Sequence, residues 1–185
     1  MPFHRLGIPI ALLSCVSSAW AQDVASGPTK GEKVPRLEVF AATGPQKDKA
    51  LDYAAERGEK PTIYVFIQAD KWSRPMARFL KELDKAIKAD DPEAYVVAVW
   101  LTDTVDQTKD YLPRAQQSIQ LEVTALTCFS GPKEGPSDWT VNSMAFLTAV
   151  VTSKGKVAEN LGYVSINETE VARVREALKK AKDEK

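Results

Sequence analysis

The sequence predicts an α/β domain: a mixed central sheet with helices on both faces, closed by a C-terminal β-hairpin and a helix. Three observations predict it. Two nearly unbroken β-branched and aromatic runs, at residues 61–67 and 95–101, read as central strands covered on both faces. Between them Trp72, Met76, Phe79, Leu80, Leu83 and Ile87 form a single apolar stripe at the helical period. Late in the chain, two apolar stretches flank Ser153-Lys154-Gly155-Lys156, a hairpin turn. Strands that alternate with helices and then double back fit a mixed sheet better than a bundle or a sandwich.

Taken in order, residues 22–35 are polar, with Gly27-Pro28, Gly31 and Pro35 and no apolar period, which predicts a flexible leader. Leu37, Val39 and Ala41 alternate with charged or aromatic neighbours and predict a first short strand. Residues 48–57 read as a short helix stopped by Gly58. After the strand at 61–67 and the long striped helix, Asp90-Asp91-Pro92 ends that helix and the strand at 95–101 follows. Residues 104–120 read as a helix that Pro113 should break or bend. Residues 121–129 suggest a further strand, followed by a Gly- and Pro-rich loop to Ser137. The hairpin joins strands at 144–152 and 157–163. Asn167-Glu168-Thr169-Glu170 then opens the last helix as a capping box, with Val171, Val174 and Leu178 as its buried stripe. The same Asn167 begins a glycosylation sequon, which matters only in a eukaryotic secretory route.

The N-terminus and composition restrict function. Arg5, the apolar residues 6–16 and Ala19-Trp20-Ala21 have the order of a secretory signal, predicting cleavage after Ala21 and export. The apolar run, about 11 residues, is too short to span a bilayer, which takes roughly 20. A rival reading places a lipid on Cys15. The full chain has 25 basic and 25 acidic side chains, and its two cysteines are Cys15 and Cys128 and its one histidine His4. Cleavage would remove Cys15, His4 and Arg5. The mature chain then has a near-neutral, mixed charge with no electrostatic claim on nucleic acid. It also lacks histidine for a hydrolase base or a metal site, and a second cysteine for an intrachain disulfide. Asp70, Asp90, Asp91 and Asp103 fall at element ends and read as caps and turns, so no metal site is predicted.

Gln68-Ala69-Asp70-Lys71-Trp72-Ser73-Arg74-Pro75-Met76 joins a buried strand to the long helix through a short loop carrying Trp, with Pro inside the first helical turn. This stretch resembles the thioredoxin superfamily, in its redoxin and periplasmic thioredoxin-like branch, where the loop reads Trp-Cys-x-x-Cys. Gly31-x-x-Val34-Pro35 is similar to the family's opening segment, and the stretch from Val141-Asn142 to Gly155-Lys156-Val157 to its closing strands. The resemblance covers nearly all of residues 31–180 and implies a thioredoxin-like domain over 36–182. It departs from the family in two places. The thiols of the redox loop are replaced by Ser73-Arg74-Pro75-Met76, and Ser143-Met144-Ala145-Phe146 lacks the proline usual before the closing strand.

The chemistry of the replacement is direct. Thiol exchange needs a thiolate at a helix N-terminus and a second thiol to resolve the mixed disulfide. A serine hydroxyl without a base does not ionise near neutral pH, and a thioether forms no disulfide. No catalytic residue and no cofactor is therefore predicted. Two readings stand for Trp72, Ser73, Arg74, Pro75 and Met76. They form a binding surface, with Trp72 as an amphipathic face and Arg74 as a bidentate donor; or Ser73 caps the helix, Pro75 sits in its tolerant first turn and Met76 fills core. Cys128 is either a buried small hydrophobe or a single-thiol site. The function expected is an exported thioredoxin-like domain without dithiol oxidoreductase activity, binding or scaffolding an envelope protein or small ligand. The alternatives are a redox protein acting through Cys128, and an enzyme of other chemistry in the groove near Trp72 and Ser73.

Overall fold

The computed structural model describes residues 23–183. Its strands are β1 (Asp23–Val24), β2 (Glu38–Ala41), β3 (Lys49–Asp52), β4 (Thr62–Gln68), β5 (Tyr95–Leu101), β6 (Thr124–Cys128), β7 (Leu147–Ser153) and β8 (Lys156–Tyr163). The helices are α1 (Tyr53–Arg57), α2 (Arg74–Asp90), α3 (Val105–Ile119) and α4 (Val171–Asp183). The segment read as a secretory signal, with Cys15 and His4, lies outside the described residues.

All eight strands join one sheet in the order β1-β8-β7-β4-β5-β6-β2-β3. β5 runs parallel to both β4 and β6, whereas β7 is antiparallel to β4 and to β8. Every residue of β4 and of β7 is buried, which is why these segments read as continuous apolar runs without alternation. Successive β4 side chains serve opposite layers. Ile63, Val65 and Ile67 meet Phe79 and Leu83 of α2, Leu112 of α3, and Val174 and Leu178 of α4. Tyr64 and Phe66 face Leu37, Tyr53 of α1 and Trp139. Helices thus lie on both faces, but unevenly: the three long ones share one face. Trp139 closes the other, its ring centroid 4.9 Å from those of Tyr64 and Phe66 and its indole N–H donating to Arg36 O at 2.9 Å.

Three segments differ from the sequence reading. The flexible leader expected over 22–35 is not free in its described part, residues 23–35: β1 pairs with the edge of β8, Lys33 bridges Lys156, and Gly31 N–H donates to Val157 O at 2.7 Å. Ser26 is buried, its hydroxyl 2.6 Å from that of Thr148. Backbone and hydroxyl hydrogen bonds hold this segment, and a search for apolar periodicity does not register them. Residues 48–57 are half strand. Asp52 is the N-cap of α1, accepting from Ala54 N and Ala55 N, so helix begins only after it and β3 pairs with β2 as a hairpin. Pro113 lies inside α3 without ending it. The proline forfeits the bond to Lys109 O, about 3 kcal/mol with its steric cost. Leu112, Ala115 and Ile119 are buried on either side, each large apolar one contributing about 1.5–3 kcal/mol, and this offsets the loss.

The remaining elements fall where their patterns put them. Lys154 and Gly155, with φ of 53° and 70°, make the tight turn between β7 and β8. The capping box expected there is half formed: Asn167 Oδ1 accepts from Thr169 N at 2.8 Å and caps a single 3₁₀ turn ahead of α4, while the Glu170 carboxylate lies against the Thr169 hydroxyl at 3.5 Å.

Candidate functional site

Parallel strands β4 and β5 end side by side, and the chain leaves both toward the same helical face. A cleft of about 710 Å³ opens at these carboxyl ends, between the connection that leaves β4 and the one that leaves β5. The connection after β4 is the 3₁₀ turn Ala69–Lys71 followed by Trp72. The connection after β5 is Thr102-Asp103-Thr104, leading into α3.

Trp72 forms one wall. It is half-buried, meets Trp100 edge-on at 5.0 Å, and donates its indole N–H to Tyr111 Oη at 2.8 Å. The wall continues onto the face of α3, where Gln107, Tyr111 and Arg114, spaced four and three residues apart, stack along the helix. Gln68, Leu101 and Thr102 line the cleft from the strand ends. Thr102 Oγ1 accepts from Thr104 N at 3.0 Å and from the Thr108 hydroxyl at 3.2 Å, which fixes the bend into α3. Asp103 is paired with Lys133 at 2.8 Å and Asp70 with Lys71 at 3.3 Å.

The structure separates the residues of the redox-loop position. Trp72 alone lines the cleft. Ser73 takes the N-cap position of α2 with extended φ and ψ, but its side chain makes no capping hydrogen bond, which corrects the expectation of a serine cap. Arg74 begins the helix and faces a shallow groove shared with Arg78, Lys81 and Ser118. Pro75 lies in the first turn, where its missing N–H is harmless, and Met76 is only 2 % exposed and packs into the core. The loop opposite has no cis peptide bond among the described residues and presents Met144 to solvent.

Cys128 is fully buried at the end of β6 and lines neither of these grooves. Burial pushes its thiol up to about 11, with nearby Lys109 opposing weakly. Among the described residues no group of histidine, cysteine and acidic side chains is arranged to hold a metal ion. Gln68, Tyr111 and Arg114 were not singled out by the sequence. The available signal was the spacing of Gln107, Tyr111 and Arg114 on α3, with Tyr111 the one exposed aromatic of an otherwise polar helical face.

Similarity to solved structures covers nearly the whole described chain. A structure assigned as the thiol:disulfide interchange protein DsbE of Chlorobium tepidum superposes with a TM-score of 0.62 at 18% identity, over 83% of this chain and 98% of that one. The fold is thioredoxin-like. The same thioredoxin-like arrangement relates the chain to BsSco, a member of the Sco family of cytochrome c oxidase assembly proteins, with a TM-score of 0.59 and 13% identity over 87% of this chain and 100% of that one. A peroxiredoxin-like protein from Aquifex aeolicus gives a TM-score of 0.55 at 13% identity, over 85% of this chain and 92% of that one. No protein-family model and no curated protein matches the chain. At such identities the likeness concerns the fold, and function rests on the residues at the site.

Proposed function

We propose that this chain is an exported thioredoxin-like domain without dithiol oxidoreductase activity, which binds or scaffolds another molecule in the cell envelope. One observation carries the reading: the α2 N-terminus, where the fold would activate a thiolate, bears Ser73 and Arg74, while Met76 is sealed in the core. The buried Cys128 thiol, raised to about 11, adds support, because exchange requires an accessible thiolate. The enzyme alternative finds little support: no hydrogen-bonded base accompanies the Ser73 hydroxyl among the described residues, and Ser73 does not line the cleft.

The test is insulin-disulfide reduction by the purified protein and a Cys128→Ser variant, beside an active thioredoxin. No turnover above the blank is expected from either form. Turnover that vanishes in the variant would overturn the proposal and make Cys128 the reacting group.

A further inference from the structure

The cleft beside Trp72 holds more binding capacity than the fold uses. Its two carboxylates are answered within the protein, Asp103 by Lys133 and Asp70 by Lys71. Arg114 is exposed, and its guanidinium has neither an ion-pair nor a hydrogen-bond partner among the described residues. Gln68 makes a second, independent point. Its side chain is 8 % exposed and lines the cleft, yet its buried Nε2 has no hydrogen-bond partner in the protein. A buried donor without an acceptor is unfavourable. Nε2 itself has no exposed surface, so an acceptor oxygen in the cleft reaches this donor once the terminal amide turns toward it.

The site therefore offers a fork of guanidinium N–H groups, a buried amide donor and an aromatic wall of Trp72 and Tyr111. Arginine's planar fork matches the two oxygens of a carboxylate. An aromatic wall with hydrogen-bonding tips suits a ring laid against it. The volume of about 710 Å³ lies in the range of small-molecule sites.

We propose that this cleft binds a small organic acid: a ring body lying against Trp72 and Tyr111, its carboxylate held by Arg114, with an oxygen accepting from Gln68. The assignment rests on the binding-module reading and names the ligand class for it. No covalent step is involved.

Titration of the purified protein with phenylacetate, glucuronate and the neutral isostere phenylacetamide tests it, read by the tryptophan indole N–H resonances. A saturable shift is expected at Trp72, whose N–H meets Tyr111, and none at Trp139, whose N–H is tied to Arg36 O in the other layer. Phenylacetate or glucuronate should produce it; whichever binds more tightly identifies an aromatic or a polyol body. Phenylacetamide should bind at least about tenfold more weakly. Arg114→Ala should lower affinity at least about tenfold, Arg114→Lys should restore part of it, and Gln68→Leu should weaken binding several-fold. Lys81→Ala, in the separate groove beside Arg74, should change nothing. Absence of a saturable shift with both acids would overturn the inference, as would equal binding of the amide or full affinity in Arg114→Ala. Such a failure with insulin reduction still absent would leave the non-redox reading intact. Insulin turnover dependent on Cys128 would remove that reading whatever the titration showed.

Discussion

Asp84 shows how one residue joins two elements. It sits in the apolar face of α2 at 3 % exposure, beside Leu80 and Leu83. Its Oδ1 accepts from Val123 N at 2.9 Å and from the Thr124 hydroxyl at 2.7 Å, and Glu122 N donates to the same carboxylate. The carboxylate thus stitches α2 to the start of β6, positioning the strand that carries Cys128. Asp84→Ala strands these donors and should destabilise the fold by about 2–4 kcal/mol, with Asn recovering part. Urea midpoints at unchanged slope would measure it; a loss within 0.5 kcal/mol, roughly the scatter of surface substitutions, would mean the bonds are replaced. Cys128 permits a second test at this scale. A thiol raised to about 11 holds roughly a hundredfold less thiolate at pH 8 than an ordinary one, before its burial is counted. Iodoacetamide should therefore modify Cys128 at least about a hundredfold faster in urea than in the folded protein, followed by intact mass. Equal rates would mean the thiol is reachable in the native state.

At the scale of elements, the edge formed by β8 shows what a sequence reading can and cannot see. Gly162 pairs with Val24, and a Cβ at this position would press on Val24 O and on the Ser26 side chain. Gly162→Ala should therefore push β1 off the sheet while leaving the β7–β8 ladder in place. Amide exchange at Val24, Gly27 and Gly31 should rise by an order of magnitude or more, with Val150 and Leu161 protected; unchanged protection at Val24 would contradict the role given to this glycine. The two central strands, the hairpin and the α2 stripe were legible because each is organised by apolar burial, which shows in sequence as an unbroken run or as a stripe at the helical period. The ordered N-terminal segment was not, since hydrogen bonds to an edge strand leave no period. β3 was misread as helix because Asp52 marks a helix start only when its Oδ1 contacts to Leu37 N and Ala54 N are seen. The candidate site was legible in part. Trp72 stood out through its loop, whereas Gln68 and Arg114 come from different elements and only the crossing after β4 and β5 unites them.

The whole molecule depends on how α4 closes the helical face. Its Val174 and Leu178 reach the same core as Leu80 and Leu83 of α2, so loosening α4 exposes the layer that all three long helices share. Two carboxylates at the end of α2 hold it. Asp90 takes a bidentate pair from Arg175, both contacts at 2.8 Å, and Asp91 takes Lys182 at 2.6 Å. Hydrogen bonding from Arg175 holds the Asp90 carboxyl below the usual range, burial opposing. For Asp91, burial pulls upward, but Lys182 and the Glu93 N–H outweigh it and the net shift is also downward. Depressed carboxyls stabilise the folded state above their unfolded value, about 3.9, and the contribution disappears as pH falls through the folded values. Stability should thus be level from neutral pH to about 4 and fall below it, with amide protection in α4 among the first losses. Arg175→Ala removes the larger influence on Asp90. The variant should be less stable at pH 7 by up to about 1 kcal/mol, the range for partly exposed pairs, and should lose less than the parent between pH 4 and pH 2.5. Urea midpoints of both proteins across that interval would decide the matter. Curves offset by a constant amount at every pH would show that the Asp90 pairing is not linked to protonation, and would leave the closure of the helical face to apolar packing alone.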